Sequence, residues 1–178
     1  MTTNKNERWH VAYTMPRSEK KVSEALTKIN VASFFPVHFV LRKWSDRVKK
    51  LELPMFPNYV FIYVDPKLRY RALDVKDIVR YVSFDGQPAI VPDDVVDSLK
   101  KLSASNVEVS TEKFDKAGTP VMVCEGPFAG VRGLLVKNNG RSHLVIEVQS
   151  LGSAVLLEIS ASAVVCLDEV EADIYAEA

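Results

Sequence analysis

Cysteine and histidine are scarce in this 178-residue chain, two of the one and three of the other, and neither is grouped. Cys124 and Cys166 stand in no Cys-x-x-Cys or Cys/His spacing, which argues against a zinc site and leaves two free thiols on or near strands. His10, His38 and His143 are scattered, with no paired carboxylates or Ser/His/Asp spacing around them, and no glycine-rich phosphate loop precedes a helix. An enzyme is therefore the poorest class for this sequence, and no cofactor is expected. Long apolar runs are missing too. None approaches the ~20 residues of a membrane span, and the amino terminus, Met-Thr-Thr-Asn-Lys-Asn-Glu-Arg, has no apolar signal core. A cytoplasmic protein with no membrane partner is the expectation.

Net charge is also absent, 23 Lys and Arg standing against 23 Asp and Glu, but the zero hides a dipole. Residues 1–104 carry 18 basic and 12 acidic side chains, a net +6, and residues 105–178 carry 5 and 11, a net −6. A basic half suits an anionic partner such as nucleic acid, and the opposite signs let the two halves attract each other. A chance distribution of solvated charge is the plain alternative.

What is present is aromatic and β-branched. Met55 to Val64, Met-Phe-Pro-Asn-Tyr-Val-Phe-Ile-Tyr-Val, has apolar or aromatic residues on both faces of a strand, so it reads as a central strand of an α+β sheet. Val60, Ile62 and Val64 make an aliphatic core face. Tyr59, Phe61 and Tyr63 make an aromatic face with polar tips, the chemistry of a surface that meets a partner.

Around that strand the chain divides in order. Trp9 to Thr14 alternates as a strand with Trp9, Val11 and Tyr13 on one face, and Pro16 ends it. Ser18 then caps a helix with Val22, Ala25, Leu26 and Ile29 on its apolar stripe and Lys20, Lys21, Glu24 and Lys28 on its polar side. Those lysines read equally well as a solvated face or as a phosphate contact. A strand from Phe34 to Val40 leads into the polar tip Arg42 to Lys50, the end of a projecting β-ribbon whose charges either touch nucleic acid beside Trp44 or only blunt an edge. Lys67 to Leu73 reads as a short helix, Ile78 to Phe84 as a strand, and Asp93 onward as a helix with Val95, Val96, Leu99 and Leu102 inward. Residues 105–116 look like a linker. Five short runs follow, Val121–Cys124, Gly133–Lys137, Leu144–Gln149, Ala154–Ile159 and Val164–Leu167, joined by glycine turns that include Asn138-Asn139-Gly140. They suggest a small closed barrel over residues 117–168, with an acidic tail at 169–178.

Three stretches carry a resemblance to a known family. Phe56-Pro57-Asn58-Tyr59-Val60-Phe61, Pro88-Ala89-Ile90-Val91-Pro92, and the KOW-like Gly118 to Gly133 together resemble the NusG/RfaH family of transcription elongation factors across residues 8–167. Asn58, where the housekeeping members usually have Gly, and the Pro88–Pro92 phrase are similar to the specialised capsule-operon antiterminators of the UpxY type. The resemblance implies a NusG-type domain at residues 8–104, with its sheet between helices, and a five-stranded KOW barrel. It implies a monomer that binds the RNA polymerase clamp and suppresses pausing and termination in an operon-specific way. Alternatives are a housekeeping NusG-like factor coupling polymerase to the ribosome or a termination factor, or an RNA- or ribosome-binding KOW module.

By the same resemblance Tyr59, Phe61 and Tyr63 match clamp-gripping aromatics. Tyr70 and Arg71 fall where RfaH has a His-Thr-Thr contact to the polymerase gate loop, although those residue types are absent here. Lys28 and Lys76 fall at or beside basic residues used on the non-template DNA strand, and Arg17 and Lys20 join them on charge alone; nascent RNA is the other candidate. In the barrel, alternation with Val121, Val123, Leu144, Ile146, Val148, Leu157, Ile159 and Val164 inward leaves Met122, Val145, Leu156 and Val165 outward. With Leu151 these are the expected contacts for a small-subunit ribosomal protein or termination factor. Their β-branched content and the intervening glycines predict strands, not a helical hairpin, in the full chain.

Overall fold

The alternation of Trp9 to Tyr13 becomes β1 (Arg8–Thr14), and the apolar stripe after it becomes α1 (Glu19–Lys28), in a computed structural model that describes residues 6–44, 46–105, 107–113, 117–138 and 140–167. There follow β2 (Ala32–Phe34), β3 (Val37–Lys43), β4 (Val48–Pro54), β5 (Tyr59–Val64), α2 (Tyr70–Leu73), β6 (Ile78–Tyr81), β7 (Ser83–Phe84), β8 (Gln87–Pro88), β9 (Ile90–Val91) and α3 (Asp93–Ala104). The last third is strand: β10 (Ser110–Glu112), β11 (Thr119–Val123), β12 (Arg132–Asn138), β13 (Arg141–Val148), β14 (Ser153–Glu158) and β15 (Val164–Cys166). The acidic tail at 169–178, Ser45 of the ribbon tip and Asn139 of the expected glycine turn lie outside the described residues.

One compact unit comprises residues 6–35 and 56–93. Its sheet is antiparallel in the order β2-β5-β1-β6, with β9 also paired to β1. The β1–β5 register sets His10 opposite Ile62 and Ala12 opposite Val60 on one face, and Trp9 opposite Tyr63, Val11 opposite Phe61 and Tyr13 opposite Tyr59 on the other. The aliphatic face is the core. Ala12, Val60, Ile62 and Val64 pack with Val22 and Leu26 of α1, Ala72 of α2, Val75 and Tyr81. Each fully buried aliphatic there contributes roughly 1.5–3 kcal/mol.

Several boundaries differ from the sequence expectation for local reasons. The expected strand Phe34–Val40 breaks at Phe35-Pro36, where proline lacks the N–H that a ladder needs. The expected strand Ile78–Phe84 ends at Tyr81. Val82 donates its N–H to Val11 and accepts from Ala89, and β7–β8 is a separate hairpin turning on Asp85 and Gly86 at φ 48° and 77°. Only Tyr70–Leu73 of the expected helix Lys67–Leu73 is helical, because Asp65 Oδ1 accepts the Lys67 N–H at 2.8 Å and holds the entry as a turn. Ser18 occupies the N-cap of α1 without a side-chain capping bond.

The other unit comprises residues 36–55 and 94–167. This differs from the expected first domain of residues 8–104, since the β3–β4 ribbon and α3 group with the end of the chain. Ser103 Oγ accepts the Val37 N–H at 2.6 Å and donates to the Val37 carbonyl at 2.8 Å, while Lys101 Nζ donates to the Ala129 carbonyl at 3.0 Å. The unit's larger sheet is antiparallel in the order β10-β14-β13-β12-β11-β15. The five runs read as strands are strands, and the segment is not a helical hairpin. The expected linker at 105–116 is partly a strand: Val109 is buried, and Ser110, Thr111 and Glu112 pair with Leu156, Val155 and Ala154.

Glycine is required at two kinds of place in this sheet. Gly126 and Gly130, at φ 78° and 81°, turn the chain between β11 and β12. At Gly133 a side chain would collide with the Val145 carbonyl oxygen, so β12 and β13 can approach only there without a Cβ.

Candidate functional site

Two aromatic pairs flank the buried Val11–Phe61 pair on the face of the first sheet that α1 and α2 do not cover. Trp9 and Tyr63 have ring centroids 5.1 Å apart, and Tyr13 and Tyr59 stack edge to face at 5.5 Å. Both contacts follow from the β1–β5 register, which makes each pair directly opposed. The Arg80 guanidinium lies 5.9 Å from the Tyr13 ring. Tyr13, Tyr59 and Tyr63 are half-buried, so their apolar rings are largely packed while part of each side chain still meets solvent.

Phe61 corrects the sequence expectation. Expected as an exposed anchor, it is fully buried, flanked by the Phe34 ring at 6.3 Å and the Phe56 ring at 6.2 Å. It shares the strand face of Tyr59 and Tyr63, and burial between them puts its ring out of reach of a partner.

The turn into β5 is set by Asn58, whose φ of 70° lies in the left-handed region that glycine and asparagine tolerate best. Its N–H is accepted by Glu19 Oε1 at 2.7 Å, and its carbonyl accepts the Thr14 N–H at 2.8 Å. Glu19 is buried at the first residue of α1, so one carboxylate joins the helix start to the turn that presents Tyr59.

The other expected contacts fall in separate places. Tyr70 is 62% exposed on α2, its hydroxyl accepting from Arg69 Nη2 at 3.1 Å, and Arg71 is exposed beside it. Arg17, Lys20, Lys28 and Lys76 are all exposed. The Met15 N–H bonds the Asp77 carbonyl at 2.9 Å and Lys21 pairs with the Asp77 carboxylate at 2.7 Å. These bonds bring the loop of Arg17, the start of α1 with Lys20 and the loop of Lys76 to one place. Lys28 lies eight residues further along α1, about 12 Å away at 1.5 Å per residue, and does not join them.

In the larger sheet two of the five expected partner contacts are not available. Val145 and Leu156 are buried and pack with Val136, Ala154 and the half-buried Leu134. Both faces of β13 and β14 are therefore packed, where simple alternation expects one in solvent. Val165 is 45% exposed and lies opposite Met122, which is half-buried, as is Leu151.

His10 has a shifted pKa. It is buried on the aliphatic face, Nδ1 donating to the Ala89 carbonyl at 2.9 Å, with the Tyr81 ring edge-on at 5.8 Å. Burial holds its pKa below the usual value, opposed by the Ala89 bond and aided by the Arg69 charge. Tyr81 is pushed up to about 12 by burial, which Arg69 partly offsets, and its neutral hydroxyl donates to the Arg69 carbonyl at 3.0 Å. These groups hold α2 and the β9 segment against β1. Among the described residues no group of His, Cys, Asp and Glu is arranged to hold a metal ion.

Sequence reasoning placed Trp9 and Tyr13 on one strand face but did not join them to Tyr59 and Tyr63; the shared period of two is the signal that could have done so. Glu19 had no signal at all, because its partner is a backbone N–H 39 residues away.

The first unit is thus an antiparallel sheet with one helix-backed aliphatic face and one face of directly opposed aromatics. The chain belongs to the NusG family, the family model described as transcription termination factor NusG matching residues 7–100. It is thus a NusG-like protein of transcription elongation and termination control. It is 24% identical over 168 residues to the transcription termination/antitermination protein NusG of Rickettsia felis, covering 86% of this chain and 87% of that protein. A solved structure on domain interaction in Thermotoga maritima NusG is similar at 22% identity and a TM-score of 0.47, covering 91% of this chain and 98% of that one. The MjSpt4:Spt5 complex is similar at 14% identity and a TM-score of 0.30, over 90% of this chain and 98% of the other.

Proposed function

We propose that this chain is an operon-dedicated elongation factor that docks on the RNA polymerase clamp and suppresses pausing and termination. The observation that carries the reading is the group formed by Tyr13, Tyr59 and Tyr63, three half-buried phenols on one sheet face with the buried Phe61 between them. Rigid aromatic rings with polar tips form anchors at little entropic cost, and such residues dominate interface energetics. To suppress pausing the factor binds the closed clamp better than the open one, and it shifts that equilibrium only by the difference.

Tyr70 and Arg71 on α2 supply a second polymerase contact in this reading. Arg17, Lys20 and Lys76 supply a phosphate contact to displaced DNA or nascent RNA, with Lys28 as an outlying cation. Asn58 and the phrase Pro88-Ala89-Ile90-Val91-Pro92 favour the operon-dedicated branch over the housekeeping one. The strands from Thr119 to Cys166 are consistent with a KOW barrel. Met122, Leu151 and Val165 are the apolar side chains left for a ribosomal protein or termination factor. The protein acts in the cytoplasm as a monomer.

The test is in vitro transcription with purified polymerase on two templates, one carrying the native leader and one an unrelated leader. Read-through raised on the native leader alone is the expected result. Equal effects on both templates would point to a general NusG-like role, and no effect on either would overturn the proposal.

A further inference from the structure

The β3–β4 ribbon is a two-stranded sheet that carries none of the aromatic site. Its register runs from Val37 opposite Pro54 to Lys43 opposite Val48, and the Trp44 N–H bonds the Arg47 carbonyl at 2.8 Å, closing the tip. Residues directly opposed on antiparallel strands share a face, and alternate residues along a strand share it too. One face near the tip therefore bears Arg42 opposite Lys49, followed by Trp44 opposite Arg47. All four are exposed, and Trp44 is 56% exposed. The Arg47 guanidinium lies a long 3.8 Å from the Asp46 carboxylate, and both side chains of that pair are largely in solvent. Further down, the same face turns apolar with Val40 opposite Leu51 and becomes half-buried.

Three cations and an exposed indole on one narrow face match two features of a nucleic acid strand, its phosphates and its π-faces. A ribbon needing only edge protection has no use for a large exposed indole among the cations. Duplex DNA would satisfy the cations but would keep its bases stacked away from Trp44.

We propose that this ribbon face binds single-stranded nucleic acid, the indole of Trp44 stacking on a base while Arg42, Arg47 and Lys49 neutralise the flanking phosphates. The site lies outside the aromatic group of the first unit, and it operates without polymerase, so its failure and the failure of the clamp reading are separate results. Whether the strand is DNA or RNA is decided by the 2′-hydroxyl, for which the face shows no dedicated partner among the described residues, so both are expected to bind.

The test uses the full chain, labelled mixed-sequence 15-mers of single-stranded DNA and of RNA, the same sequence as a DNA duplex, and polyglutamate. The chain holds two tryptophans, and Trp9 is only 8% exposed, so the solvent-exposed, red-shifted part of the emission reports on Trp44. Expected are quenching of the exposed emission by both single strands and weaker binding of the duplex without quenching. Trp44→Ala should weaken single-strand binding about 5- to 150-fold, the range for one stacked base. Arg42→Gln with Lys49→Gln should lower the slope of log affinity against log salt by about 1.4, at 0.7 per phosphate contact. Thermal melts checking that both variants keep the wild-type transition make the loss attributable to the face. Binding unchanged by Trp44→Ala, a duplex bound as tightly as the single strand, polyglutamate bound as tightly as either, or no binding at all would each overturn the proposal.

Discussion

The Glu19 carboxylate accepts the backbone N–H of Asn58 at 2.7 Å, and Asn58 stands at a φ of 70°. A buried acceptor at the start of α1 thus holds open the left-handed turn from which Tyr59 enters β5. Asn58→Gly should change stability by only a few tenths of a kcal/mol, because glycine takes this φ freely. Asn58→Val should destabilise the protein by roughly 1–3 kcal/mol, since a β-branched residue is strained there. Glu19→Ala should cost about 1–3 kcal/mol by leaving a part-buried N–H without an acceptor. Denaturant melts of the three variants check the order. An Asn58→Val variant as stable as wild type would show that the turn relaxes.

A second expectation separates the buried ring from the half-buried ones in the aromatic group. Phe61→Ala removes a fully buried ring flanked by Phe34 and Phe56, and should destabilise the fold by about 3–5 kcal/mol. Tyr59→Ala with Tyr63→Ala removes half-buried rings, and should leave a cooperative melt while reducing polymerase retention at least about 30-fold, at 2 kcal/mol or more for an anchor. Retention and melting measured on both variants decide it. Normal retention by a folded Tyr59/Tyr63 variant would remove the face from the docking model.

Much of this architecture was legible because the strands alternate cleanly. The period of two in Trp9 to Tyr13 and Tyr59 to Val64 marked β1, β5 and both of their faces, and the glycine-punctuated runs after Thr119 marked all five strands there. Alternation says which residues share a face and nothing about what covers that face. Phe61 therefore looked like its neighbours Tyr59 and Tyr63, although Phe34 and Phe56 close around it. Val145 and Leu156 looked solvent-facing, yet β13 and β14 are packed on both sides. The short β10 was hidden because Ser110, Thr111 and Glu112 are polar and exposed, so only pairing with β14, not burial of their side chains, makes them a strand.

The third expectation concerns pH. His10 has a folded pKa below its ordinary value near 6.5, so the folded state disfavours the charged ring. Above pH 6.5 the ring is neutral in both states and its contribution is complete. As pH falls through 6.5 the unfolded chain takes up the proton first, and stability declines until the lower folded pKa is passed. The facing groups sharpen this, since Arg69 adds positive charge and Tyr81 presents a neutral ring. The melting temperature should fall between pH 7 and pH 5, and His10→Gln should flatten that fall while lowering the plateau. An unchanged slope in the variant would assign the dependence to other groups.

The last expectation distinguishes two glycines that look alike in sequence. Gly133 and Gly140 both sit in or beside β-hairpins of the larger sheet, but for different reasons. Gly140 has a φ of 77° with open space where a side chain would go, so Gly140→Ala meets only backbone strain and should cost about 1–2 kcal/mol. Gly133 has no such φ; a Cβ there would strike the Val145 carbonyl oxygen and press on the Leu144 side chain. Relief requires β12 to move away from β13 along a register of five paired residues, Leu134 opposite Val145 to Asn138 opposite Arg141. That separation would open the contact between Val136 and Val145, both buried. Gly133→Ala should therefore destabilise the sheet by more than Gly140→Ala, on the scale of the overpacking and strand-loss mechanisms at about 3 kcal/mol or more. Amide exchange resolved by residue gives the direct reading: protection in β12 and β13 should collapse for Gly133→Ala while protection in β1 and β5 persists. Equal losses for the two variants would mean that the close approach of β12 to β13 is not what selects glycine at 133.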